Sequence, residues 1–180
     1  MNKKNLYIAI AIVVACVLLG FLAYSAITYR TPQKSYESTA YGISFSYPET
    51  YTLQESDISE GAKHHEISLI DTKALASAPS ESEGPTAMTF DIYPANGKDT
   101  ETWIEQTQAS NFNLSVDKQM HDATVDGTPA VAYTWDGLYR GNSFVFAHKG
   151  NIVMASVTYM TTDDQILKDF TGVLKSVQLQ

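Results

Sequence analysis

Val125 to Met160 reads VDGTPAVAYTWDGLYRGNSFVFAHKGNIVMASVTYM, apolar-rich runs parted by Asp136-Gly137 and Lys149-Gly150-Asn151, with Asp126-Gly127 at its head. Glycine after aspartate, or beside asparagine, supplies the positive φ that tight hairpin turns require. Together with QMHDATV just upstream, the stretch predicts four consecutive antiparallel strands: 119–125, 129–135, 142–148 and 152–160. Val131, Tyr133 and Trp135 fall on one face of the second strand.

Downstream, Ile166, Leu167, Phe170, Val173, Leu174 and Val177 recur at helical spacing, and Thr162 with Gln165 satisfies a capping-box pattern. One clean apolar stripe means that this helix lies on the sheet. Upstream, YGISFSY alternates with period two from Tyr41 to Tyr47, placing Tyr41, Ile43, Phe45 and Tyr47 on one face. Pro48-Glu49-Thr50 makes a turn into YTLQ, so a hairpin is expected. KHHEISLID (63–71) is a strand with Ile67 and Leu69 inward. TKALASAPSESEGP (72–85) reads as a long exposed loop and TAMTFDIYP (86–94) as another strand. A helix follows through ETWIEQTQASNF, capped by Asp99 or by Thr102 with Glu105. The fold class is α+β, a central antiparallel sheet covered by helices.

The N-terminus is of another kind. Leu6 to Ile27 runs 22 residues without a charge; as a helix it is roughly 33 Å long, enough for a bilayer core. It predicts a transmembrane helix at 6–27, behind a cytoplasmic stub at 1–5 and followed by a linker at 28–40 and an extracytoplasmic domain at 41–180. Lys3 and Lys4 set the N-terminus in the cytoplasm, whereas Arg30 and Lys34 on the far side pull the other way. Val13-Val14-Ala15-Cys16 resembles a lipobox, which makes a lipoprotein acylated at Cys16 the alternative to a plain anchor, and a cleaved signal a third possibility. As the single cysteine, Cys16 also excludes an intramolecular disulfide.

From Ser35 onward 8 basic residues face 20 acidic ones, a balance of −12. Phosphate binding needs clustered Lys and Arg, so nucleic acid is excluded as a partner.

YGISFSYPETYTL at the domain start, VDGTPAVAYTW, FVFAHKGNIVMASVTY and DDQILKDFTGVLKSVQL together resemble the PsbP-like fold, shared by the photosystem II extrinsic protein and the Ran-binding Mog proteins. The resemblance spans most of residues 41–180. It implies an α/β/α sandwich and a role in docking on larger assemblies; no catalytic motif goes with it, and neither specific function transfers.

The chemistry-bearing residues are few. His64-His65-Glu66 is the most metal-like cluster, and strand periodicity lets His64 and Glu66 share a face while His65 cannot. Without a matched second pair it reads as a solvated strand end, and no metal or cofactor is assigned. A triad built from His121 or His148 with a serine lacks a GxSxG elbow. Asp163-Asp164 fits the first turn of the last helix, where negative charge offsets the dipole. Asn113-Leu114-Ser115 is a formal glycosylation sequon. The hairpin tip TWDGLYRGN presents Tyr139 and Arg140, types favoured at binding hot spots, as the candidate interaction surface. The expected function is a membrane-anchored, extracytoplasmic, non-catalytic binding or assembly module with a protein partner. A small-ligand or metal carrier and an envelope hydrolase are the alternatives.

Overall fold

A computed structural model describes residues 31–79 and 84–180. The predicted membrane span at 6–27 and the lipidation site Cys16 lie outside them; among the described residues no helix is long and apolar enough to cross a membrane. Residues 33–180 form a compact unit.

Its framework is a seven-stranded antiparallel sheet in the order β3-β4-β5-β9-β8-β7-β6. The strands are β3 (Tyr51–Ile58), β4 (His64–Asp71), β5 (Ala87–Pro94), β6 (His121–Val125), β7 (Thr128–Asp136), β8 (Arg140–His148) and β9 (Asn151–Tyr159). The four-strand meander expected from Val125–Met160 and its upstream neighbour is present as β6 to β9. Two of its turns work as the sequence implies, since Asp126-Gly127 and Lys149-Gly150 both take positive φ at both residues, as a type I′ turn demands. The third differs. Three residues separate β7 from β8, Gly137 is not in the left-handed region, and its N–H donates to the Tyr139 carbonyl at 3.0 Å.

Apolar side chains cover both faces. On one, Ile67, Leu69, Met88, Phe90, Phe146, Val153, Ala155 and Val157 meet Ile166, Phe170 and Val173 of the last helix, Gln165–Ser176. Burying each of those three helical side chains contributes roughly 1.5–3 kcal/mol. On the other face, Val131, Tyr133, Val145, Ile152 and Met154 meet Trp103 and Ile104 of the helix Thr100–Gln106. Tyr133 is buried at the centre of this second cluster, its hydroxyl donating to the Ser110 carbonyl. Helices thus flank the sheet on both sides.

Several expectations are corrected. β2 (Ile43–Pro48) is not the hairpin partner of β3, which pairs with β4 instead. β2 is the middle strand of a separate three-stranded sheet, β1-β2-β10. Phe45 explains the separation: its ring stacks on Phe90 of β5, centroids 4.6 Å apart, so β2 lies over the large sheet rather than beside it. The predicted linker 28–40 contains β1 (Gln33–Ser38), which pairs with β2 along its whole length and stacks Tyr36 on Phe45. Its sequence, QKSYES, is polar because one residue, Tyr36, does the packing. β10 (Gln178–Leu179) closes the other side of β2.

The loop at 72–85 opens with a short helix, α1 (Thr72–Ser77), capped by Asp71, whose carboxylate accepts from the N–H groups of Lys73 and Ala74. In α2 (Thr100–Gln106) Asp99 rather than Thr102 is the cap, accepting from the Thr102 N–H at 2.8 Å, and the helix ends before a 3-10 turn at Phe112–Leu114. The last helix, α3 (Gln165–Ser176), starts at Asp164 and not at a Thr162–Gln165 box. The Asp164 carboxylate reaches back to the N–H groups of Met160 and Thr161 and to the Thr161 hydroxyl, closing the entry loop.

Candidate functional site

The polar groups that converge best lie on the α2 face of the large sheet, at the β4–β5 pair. Glu66 stands directly opposite Asp91 across the ladder. With Ile67 and Leu69 turned to the α3 core, the period of two sends His64 and Glu66 to the other face. Asp91, between Phe90 and Ile92, turns there for the same reason. One ligand atom from each of His64, Glu66 and Asp91 lies within 4.8 Å of the others.

Each of the three is oriented differently. The His64 ring stacks on Tyr93, centroids 4.5 Å apart, and its Nδ1 sits 2.7 Å from the Ala62 carbonyl oxygen. A carbonyl only accepts, so Nδ1 carries the proton. Nε2 then points at Asp91 Oδ1, 3.4 Å away. The other Asp91 oxygen accepts from the Thr89 hydroxyl at 3.0 Å. Asp91 is buried and the other two are half-buried. The hydrogen bond to Asp91 raises the His64 pKa against the lowering effect of burial. Burial, then the Asp91 charge, raises that of Glu66.

A polar row continues from this corner. Ser68, Thr89, Ser156 and Ser143 occupy one cross-strand row over β4, β5, β9 and β8. Ser143 and Ser156 share a hydrogen bond of 2.8 Å, and the Trp135 indole N–H donates to Ser143. His65, as expected, is on the opposite face, where Asp57 and Glu55 approach its two ring nitrogens and Tyr41 packs on its ring.

The remaining sequence candidates are dispersed. His148 Nε2 is 3.2 Å from the Gly42 carbonyl, and His121 is exposed at the start of the edge strand β6. Neither joins a serine and a carboxylate among the described residues. Tyr139 is half-buried and its hydroxyl donates to the Gly84 carbonyl at 2.8 Å, whereas Arg140 is exposed. Leu138, between Gly137 and Tyr139, is 66% exposed and Met160, following β9, is 70% exposed. Since Arg140 pairs with Tyr159, these groups share one end of the sheet. A separate groove of about 560 Å³ runs along α3, walled by Phe144, Leu167, Phe170 and Leu174.

Sequence reasoning missed Asp91, the serine row and the exposed Leu138 and Met160. Asp91 did leave a signal: a lone carboxylate in TFDIYP, at the parity opposite to its apolar neighbours.

No family model matches the chain, and comparison with curated proteins finds no match. Solved structures do match. The solution structure of the cyanobacterial PsbP (CyanoP) of Synechocystis superposes with a TM-score of 0.53 at 13% identity, over 84% of this chain and 94% of that one. A Bacteroides thetaiotaomicron protein gives 0.48 at 12% identity, over 82% of this chain and 48% of that one. The Ran-binding protein Mog1p of Saccharomyces cerevisiae gives 0.43 at 11%, over 83% and 96%. The last two scores carry no argument. The first shows a PsbP-like fold, and at that identity it shows the fold alone.

Proposed function

We propose that this chain is a non-catalytic binding or assembly module, held in the cell membrane by residues 6–27 and presenting residues 41–180 on the extracytoplasmic side. The observation that supports it is the end of the large sheet where the apolar side chains of Leu138 and Met160 stand in solvent and the exposed Arg140 also lies. Clustered exposed apolar groups next to arginine are the composition of a docking surface. The strong acidity of the domain makes Arg140 the point where an acidic partner group would be met. Tyr139, tied to Gly84, shapes the tip, while Leu138, Arg140 and Met160 supply the free surface.

The test is crosslinking from native membranes with a photoreactive residue placed beside the tip. Leu138→Glu with Arg140→Glu is expected to leave thermal unfolding unchanged and to reduce recovery of the crosslinked partner at least about tenfold, the loss of a hot-spot pair. Equal recovery by parent and variant would refute the assignment.

A further inference from the structure

Glu66 and Asp91 are cross-strand neighbours, two carboxylates on one face of adjacent strands, Asp91 buried and Glu66 half-buried. Like charges directly opposite in a sheet destabilise it, and desolvation adds to the cost. One imidazole, that of His64, faces Asp91. Two carboxylates thus meet one imidazole, and one negative charge at this corner is left over.

The surroundings are arranged as they are around a metal. A ligating histidine usually gives its far ring N–H to a carbonyl, which turns the other nitrogen's lone pair outward; here Nδ1 is engaged by Ala62 and Nε2 is turned toward Asp91. A ligating carboxylate is usually anchored through its second oxygen, as Thr89 anchors Asp91. Two donors on a tetrahedral ion with bonds of about 2.1 Å stand roughly 3.4 Å apart. The separation between His64 Nε2 and Asp91 Oδ1 is 3.4 Å. The Glu66 carboxylate, within 4.8 Å of both, completes three donors by a side-chain rotation toward them.

We propose that His64 Nε2, Glu66 and Asp91 bind a divalent transition-metal ion. One nitrogen and two carboxylate donors, without sulfur, suit zinc or manganese and not a soft monovalent ion. Three protein ligands leave the fourth position for water or a group from a partner. The ion neutralises the surplus carboxylate and fastens β4 to β5.

The probe is zinc, titrated into the untagged, chelator-stripped full chain in mild detergent, read by calorimetry and thermal unfolding. One zinc per chain is expected, with Tm rising about 5–10 °C at a hundredfold excess over Kd. His64→Ala and Glu66→Gln should each weaken zinc binding at least about tenfold. Without metal, Glu66→Gln should unfold at or above the parent's Tm, because it removes the cross-strand repulsion; this variant therefore remains informative if His64→Ala folds poorly. His65→Ala, on the opposite face, should keep the full zinc response. The proposal is overturned if the parent shows no saturable binding below millimolar zinc, if Glu66→Gln binds zinc as the parent does, or if His65→Ala abolishes the response.

Discussion

Single side chains decide more here than their types announce. Trp135 stands opposite Gly141 across β7 and β8, and its indole occupies the space that a Cβ at Gly141 would need. Gly141→Ala is therefore expected to cost about 1–3 kcal/mol in chemical denaturation, the usual penalty of overpacking, with a change in tryptophan fluorescence as the indole leaves Ser143. Asp164 makes a prediction in pH. The Thr161 hydroxyl, then the Thr161 and Met160 N–H groups, stabilise its ionised form and lower its pKa below the ordinary 3.8. A depressed folded-state pKa contributes stability above the unfolded value and loses it as pH falls through the folded one. The stability gap between parent and Asp164→Ala should accordingly be full at neutral pH and shrink steadily below about pH 4. A gap unchanged down to pH 2 would show that the carboxylate charge contributes nothing. Both residues were open to the sequence as types, a glycine and an acid. Their partners were not, since Gly141 and Trp135 meet only through strand register.

Elements behaved according to how much of their packing is their own. The meander β6–β9 and the helix α3 carry strong local signals, with Gly-containing turns in one case and a six-residue apolar stripe in the other, and both appear where the pattern places them. β1 carries almost none, since Tyr36 is its one apolar residue facing the core and Gln33, Lys34, Ser35 and Glu37 are exposed. Its order comes from β2, which offers a free edge. Hydrogen exchange followed by mass spectrometry should find the amides of residues 34–38 protected to nearly the degree of 43–47, and proteases should spare this segment. Exchange at the rate of an unstructured spacer would restore the linker. The expected β2–β3 hairpin failed for the complementary reason. A turn signal such as Pro-Glu-Thr says that the chain reverses or bends, whereas the stacking of Phe45 on Phe90 decides which sheet receives the strand.

At the scale of the molecule, the two ends of the domain meet on one strand. β1 and β10 flank β2, the Gln180 N–H donates to the Gly42 carbonyl at 2.9 Å, and the Leu179 N–H donates to Asp126 at 2.8 Å. Removing residues 178–180 opens the small sheet on one side and releases both contacts. A loss of about 2 kcal/mol follows from two hydrogen bonds, and Tm should drop by about 4–8 °C with unfolding still cooperative. A truncated chain with unaltered Tm would mean that the small sheet does not depend on its last strand.

The sequence by itself determined the antiparallel meander, the closing helix, the acidic surface and the shared face of His64 and Glu66. These are local properties: turn chemistry, periodicity and composition act within a few residues of one another. Tertiary structure alone decided that there are two sheets, that a polar segment is a strand, and that Asp91 stands opposite Glu66. Each depends on which distant strand lies alongside, and pairing between strands is set by burial of whole faces, which no short stretch of sequence records.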